Sequence, residues 1–177
     1  MKVLPLPKNF DENEIFVLLI IAGLIIVSIY LPKRFPLHLL ILLLLINSCI
    51  GRTVDTSIAI EPFDIYNSFD DNTHELFDEI TYTIVYSLYG YLFYYFYDKF
   101  HKIPSWIVVI LWALFSTVSE RISTYFNVFQ YNHWNLLFSF LVYLFVFILH
   151  VLFFYWTTKQ LKYTSERVKS LQRIGNN

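Results

Sequence analysis

Apolar residues fall into five blocks, 15–31, 35–51, 80–97, 103–119 and 134–158, none of which contains Asp, Glu, Lys or Arg. A hydrocarbon core about 30 Å thick is crossed by roughly 17–25 helical residues, and in lipid only helices or closed barrels satisfy their own backbone groups. The blocks reach that length without alternating apolar and polar positions. The pattern therefore predicts an all-α, polytopic membrane bundle with helices at about 13–31, 35–58, 79–98, 103–126 and 134–158. Residues 1–177 form a single membrane domain, with 159–177 as a basic tail.

The first block is expected to stay as a helix and not to be removed as a secretory leader. Asp11, Glu12 and Glu14 precede it, and Pro32, Lys33 and Arg34 follow it where a cleavage site would need small residues. Composition agrees with a membrane protein: the chain is 56% hydrophobic and 15% charged, against about 25% charged in soluble domains. Cys49 is the only cysteine, so no internal disulfide can form.

Charge adds an orientation. Lys33 and Arg34, Lys99 and Lys102, and the tail residues Lys159, Lys162, Arg167, Lys169 and Arg173 fall on alternate connections. With five spans they share one side. The positive-inside rule makes that side cytoplasmic and places the N-terminus outside, in the cell membrane. The opposite side is acidic, and its longest connection, Glu61 to Glu79, interleaves acids with Phe63, Ile65, Tyr66, Phe69, Leu76 and Phe77. It is expected to lie on the outer surface as a partly helical amphipathic segment. Thr73 is the expected cap of a short helix leading into the third span. His74 and Asp78, spaced i, i+4, form a weak candidate metal pair; a solvated acidic face is the ordinary alternative.

Four ionisable residues sit at the outer ends of spans two and four. Arg52 lies about 24 Å from the start of its helix and Glu120 lies at the same depth, at 1.5 Å per residue. Pairing of Arg52 with Glu120 and of Asp55 with Arg121 would neutralise this layer, because an unpaired charge within a span is costly. The layer either fixes helix register or lines an outward-facing polar pocket for a small polar ligand or lipid headgroup. Tyr131, His133 and Asn135 would then stand at the pocket's rim.

The third span is dense in tyrosine. Tyr82, Tyr86, Tyr89, Phe93, Phe96 and Phe100 recur at three- or four-residue steps and define one helical face. Interhelical packing is the expected use, and a flat isoprenoid-like ligand is the alternative. Gly90 permits a close helix neighbour. His150, inside the fifth span, reads as a satisfied interior histidine before it reads as a proton relay.

No phosphate loop, GxSxG, HExxH or paired-cysteine motif is present, and no cofactor is implied. The leading expectation is a structural, interaction or accessory protein of the membrane. A small transporter or ligand- or lipid-binding protein comes second, and an enzyme acting on lipid or isoprenoid third. Expected partners are the bilayer, another membrane protein or a second copy of the chain, and no nucleic acid.

The stretch EPFDIYNSFDDNTHELFDEITY, the aromatic span ending in YDK, LWALFSTVSERIS and YFNVFQYNHWNLLFSFLVYLF together resemble a family of small uncharacterised multi-pass membrane proteins of spore-forming Firmicutes, of the Bacillus and Clostridium type. The resemblance spans roughly residues 40 to 155. It implies a shared acidic-aromatic segment at Asp64 to Asp78, a shared Glu at Glu120 and a Tyr-x-x-Trp element at Tyr131 and Trp134. Where this chain has Arg121, the family often has Trp. It implies a location and no activity.

Overall fold

A computed structural model describes residues 4–58, 65–69 and 74–175; the side chains of Asp55, Ile58 and 162–175 lie outside what is described. Helix α1, Glu12–Tyr30, opens on a capping box in which the Asp11 N–H donates to Glu14 Oε2 at 2.9 Å. The acids there also suit the positive end of the helix dipole. It closes at Leu31, which is held extended by the proline that follows. Helix α2 is Leu37–Ile58. Helix α3, Leu76–Ile80, runs without a break through a π-helical turn, Thr81–Tyr86, into α4, Ser87–Lys99. Helix α5 is Ser105–Tyr125 and α6 is Leu136–Gly175.

Among the described residues, four helices are long and apolar enough to cross a membrane: Glu12–Tyr30, Leu37–Val54, Ser105–Tyr125 and Leu136–Leu161. The third predicted span is the α3–π–α4 rod, and its position accounts for its different composition. Tyr91, Leu92, Phe93, Tyr94 and Tyr95 are all buried. Five successive helical positions cover the full circumference, so this stretch is enclosed on every side. Leu39 and Leu43 of α2, Val108, Val109 and Ala113 of α5, and Phe147 and Phe154 of α6 pack against Phe93 and Tyr94. The outer helices turn Leu19, Ile29, Leu45, Leu111 and Leu152 outward, as a lipid-facing surface requires.

Hydrogen bonds separate the two ends of the bundle. At one end the Arg34 guanidinium donates to Asp98 at 2.8 Å, joining the α1–α2 connection to the end of α4. At the other end Leu76 N–H donates to the Pro5 carbonyl, Asn127 Nδ2 to Glu12, and the N–H groups of Asn132 and His133 to the Ile65 carbonyl. Successive rods therefore run in opposite directions.

That second end carries an element the sequence does not predict. Strand β1, Tyr66–Ser68, pairs antiparallel with β2, Phe129–Tyr131, in the register Tyr66↔Tyr131, Asn67↔Gln130, Ser68↔Phe129. The acidic connection is thus partly strand as well as partly helical. Its expected cap Thr73 lies outside the described residues. Within them, Glu75 is the N-cap of α3 and its N–H donates to Asp78 Oδ2 at 2.9 Å. The chain enters β2 through a Schellman closure of α5: Val128 N–H reaches Ser123 O at 3.0 Å, Asn127 N–H reaches Thr124 O at 3.3 Å, and Asn127 takes φ 54°. Phe69 at the end of β1 also adopts a left-handed φ, 56°. That conformation costs a non-glycine residue about 1–2 kcal/mol, and burial of its ring against Val17, Phe77 and Val128 offsets it.

α6 continues to Gly175, so the expected tail is helical backbone. At 1.5 Å per residue the helix is about 60 Å long, twice the hydrocarbon thickness.

Candidate functional site

Glu120, near the end of α5, faces inward and receives three hydroxyls. Tyr131 of β2 and Ser139 of α6 donate to Oε1, the latter at 2.6 Å, and Tyr143 of α6 donates to Oε2 at 2.6 Å. Ser139 and Tyr143 are i, i+4 on one face of α6, so both reach the same carboxylate. Trp134 Nε1–H donates to Ser139 Oγ at 2.7 Å. An indole can only donate, so the serine proton is left for Glu120 and the chain Trp134→Ser139→Glu120 has a fixed direction. Tyr131, outside the spans, is held as a neutral phenol: burial, then its hydrogen bond to Glu120 and that residue's charge, push its pKa up. Among the described residues no Lys, Arg or His forms an ion pair with Glu120.

The carboxylate heads a cavity of about 150 Å³ lined by α2, the π turn, α4, α5, the small sheet and α6. Tyr66, Phe129, Tyr131 and Trp134 line it from the sheet and the start of α6; Tyr86, Tyr89 and Tyr143 line its middle, and Asn47 and His150 its far end. The far end is built by close helix approach. A Cβ at Gly90 would fall inside the Asn47 carboxamide, and one at Gly51 would fall inside the Tyr86 ring. Glycine at these two positions lets α2 lie against the central rod. Asn47 Nδ2 donates to the Leu43 carbonyl, and the His150 ring lies between two acceptors, Nδ1 2.8 Å from the Val146 carbonyl and Nε2 against Asn47 Oδ1, so a neutral ring donates to only one of them. Tyr89 donates to Ser116 Oγ at 2.7 Å, because the Ser116 proton goes to the Trp112 carbonyl at 2.8 Å. π turns recur at functional sites; here one presents Tyr86 to the cavity.

The expected ion-pair layer is not formed as drawn. Arg52 pairs with Glu79, and Glu79 Oε1 lies 2.7 Å from His74 Nε2, giving a chain Arg52–Glu79–His74 at the surface. Depth along a helix does not set direction around it, and Arg52 reaches Glu79 of the central rod. Arg121, about 100° from Glu120 around α5, is exposed, with Nη1 3.4 Å from Thr124 Oγ1. The side chain of Asp55 lies outside the described residues. Of the expected rim, Tyr131 joins the site. His133 is exposed and does not line the cavity. Asn135 is the N-cap of α6, its Oδ1 accepting from the N–H groups of Leu137 and Phe138 at 3.0 and 3.1 Å.

The weak metal pair is also otherwise engaged. Asp78 is buried and accepts from Ser68 Oγ at 2.6 Å as well as capping α3, while His74 Nδ1 stands 3.8 Å away. Among the described residues no group of three His, Cys, Asp or Glu is placed to hold a metal ion. His150 is a bonded interior histidine, as expected. Of the aromatic stripe, Tyr82 and Phe93 are buried, Tyr86 and Tyr89 line the cavity and Phe100 is exposed.

Sequence reasoning missed Ser139, Tyr143 and Asn47. A signal was available: Ser139, Tyr143 and His150 fall on one face of the most apolar block, and Asn47 and Gly51 are i, i+4 on α2.

The fold and the site define a polytopic helical membrane protein with an internal carboxylate-headed cavity. Comparison with protein-family models, with curated proteins and with solved structures returns no match.

Proposed function

We propose that this chain is a ligand-binding protein of a bacterial cell membrane, of the group its sequence resembles, and that its ligand occupies the Glu120 cavity. One observation carries this reading: a carboxylate inside the helix bundle faces a cavity, satisfied by hydroxyls but not by any cation among the described residues. Ionisable groups at membrane depth mark ligand or ion pathways by default. An engineered cavity of similar volume admits benzene, so the space suits a small molecule or one chemical group of a larger amphiphile. Arg52 and Glu120 do not neutralise one another: Arg52 pairs with Glu79, and Glu120 accepts from hydroxyls. Alternating basic connections support an N-terminus outside and α6 emerging in the cytoplasm. The sheet and the Glu120 end of the cavity then face outward.

Purification from native membranes in mild detergent, followed by native mass spectrometry, tests the ligand. A bound small molecule or lipid is expected on the wild type and lost in Val146→Phe, which fills the cavity from α6. Wild-type protein without any adduct, together with a Val146→Phe variant that is simply more stable, would make the cavity a packing gap and end this reading.

A further inference from the structure

We infer that the occupant of the Glu120 cavity is an organic monocation, a small quaternary ammonium or protonated amine. This rests on the ligand-binding reading above and narrows it to one chemical class. Tyr131, Tyr143 and Ser139 give their protons to Glu120, Trp134 gives its indole proton to Ser139, Tyr89 gives its proton to Ser116, and Asn47 donates to Leu43. An anion entering the cavity would meet a carboxylate and find these donors already committed. What the walls still present is electron-rich: carboxylate and hydroxyl lone pairs, and the rings of Tyr66, Tyr86, Phe129 and Trp134. That combination attracts a cation, and aromatic cages are the common receptors for alkylammonium groups.

Size and coordination select among cations. A bare divalent ion asks for about six oxygen ligands, whereas this cavity offers one carboxylate and apolar ring surface. A space near 150 Å³ matches a group of about five to seven heavy atoms, by comparison with a cavity that takes benzene. Tetramethylammonium and the head of choline are of that size. The same chemistry is offered by a free amine and by the headgroup of a phospholipid.

Thermal unfolding of the full chain in detergent tests the class. Tetramethylammonium chloride is expected to raise the midpoint above that in sodium chloride of equal ionic strength. 3,3-Dimethyl-1-butanol, the neutral shape analogue of choline, should not, whereas choline should. In Glu120→Gln the half-effect concentration should rise about tenfold or more, the loss of a charge partner worth roughly 1.4 kcal/mol. Should that variant not fold, Glu120→Asp draws the carboxylate back by one methylene and is expected to shift the preference from tetramethylammonium to tetraethylammonium. Competition by lysophosphatidylcholine supports a lipid headgroup as the source, and its absence supports a free amine. Equal stabilisation by the neutral alcohol would overturn the cation class while leaving a ligand-binding cavity. An unchanged half-effect concentration in Glu120→Gln, or no response to any ammonium ion, would also overturn it, and the native-mass result decides the broader reading separately.

Discussion

Glu120 shows how hydroxyls hold a carboxylate inside a helix bundle where, among the described residues, no cation pairs with it. Among the described residues its two oxygens are served unequally: Oε1 accepts from Tyr131 and Ser139, and Oε2 from Tyr143. Hydrogen bonds to charged acceptors are worth about 1.5–3 kcal/mol, and an acceptor left dry incurs its full desolvation penalty. Tyr143→Phe is therefore expected to destabilise by about 2 kcal/mol. Ser139→Ala, which leaves Oε1 with Tyr131, should cost about half as much. Denaturant unfolding in mixed micelles would rank them. Combined with Glu120→Gln, Tyr143→Phe should cost less than the sum of the two single changes, since both act on one bond. Equal costs for Tyr143→Phe and Ser139→Ala would show that the two oxygens are solvated alike. Glu120 and Tyr131 were legible as site residues because a carboxylate in a span and a tyrosine in a short connection stand out from apolar surroundings. Ser139 and Tyr143 were not, because single hydroxyls within so apolar a block read as tolerated substitutions until the partner carboxylate is in place.

At the scale of elements, the close approach of α2 to the central rod separates glycines that matter from one that does not. Gly90 lies under the Asn47 carboxamide and Gly51 under the Tyr86 ring, whereas nothing lies within 4 Å of a Cβ at Gly23. Gly90→Ala must displace Asn47 and with it the link to His150, so a loss of about 1–3 kcal/mol, the range for overpacking, is expected. Gly23→Ala should leave stability unchanged or raise it by up to about 1 kcal/mol through helix propensity. Thermal midpoints of the two variants check this, and similar midpoints would contradict the packing described. Helices were legible from block length, since backbone satisfaction in lipid leaves few alternatives. The sheet was not: strands as short as Tyr66–Ser68 and Phe129–Tyr131 carry no periodic signal, and each is held by a partner far away in the chain. Nor was the pairing of Arg52 with Glu79 legible, because a residue count gives depth along an axis and not the direction of a side chain around it.

For the whole molecule, the two ends differ in what they are built from, and that difference sets the last prediction. One end gathers the N-terminal segment, β1, β2 and the mouth of the Glu120 cavity; the other gathers Lys33, Arg34, Lys99 and Lys102 around the Arg34–Asp98 pair. Basic residues are retained on the cytoplasmic side during insertion. The sheet end is accordingly expected to face the exterior. Cys49 is the only thiol, so Cys49→Ser gives a clean background for two exposed reporters, His133→Cys at the sheet end and His101→Cys at the basic end. In intact cells a membrane-impermeant maleimide should label His133→Cys and spare His101→Cys until the membrane is opened. The reverse pattern would turn the molecule over and open the Glu120 cavity to the cytoplasm, so that its ligand would have to come from inside the cell. Labelling of both reporters in intact cells would deny that they lie on opposite sides, and with it the up-and-down passage through the bilayer.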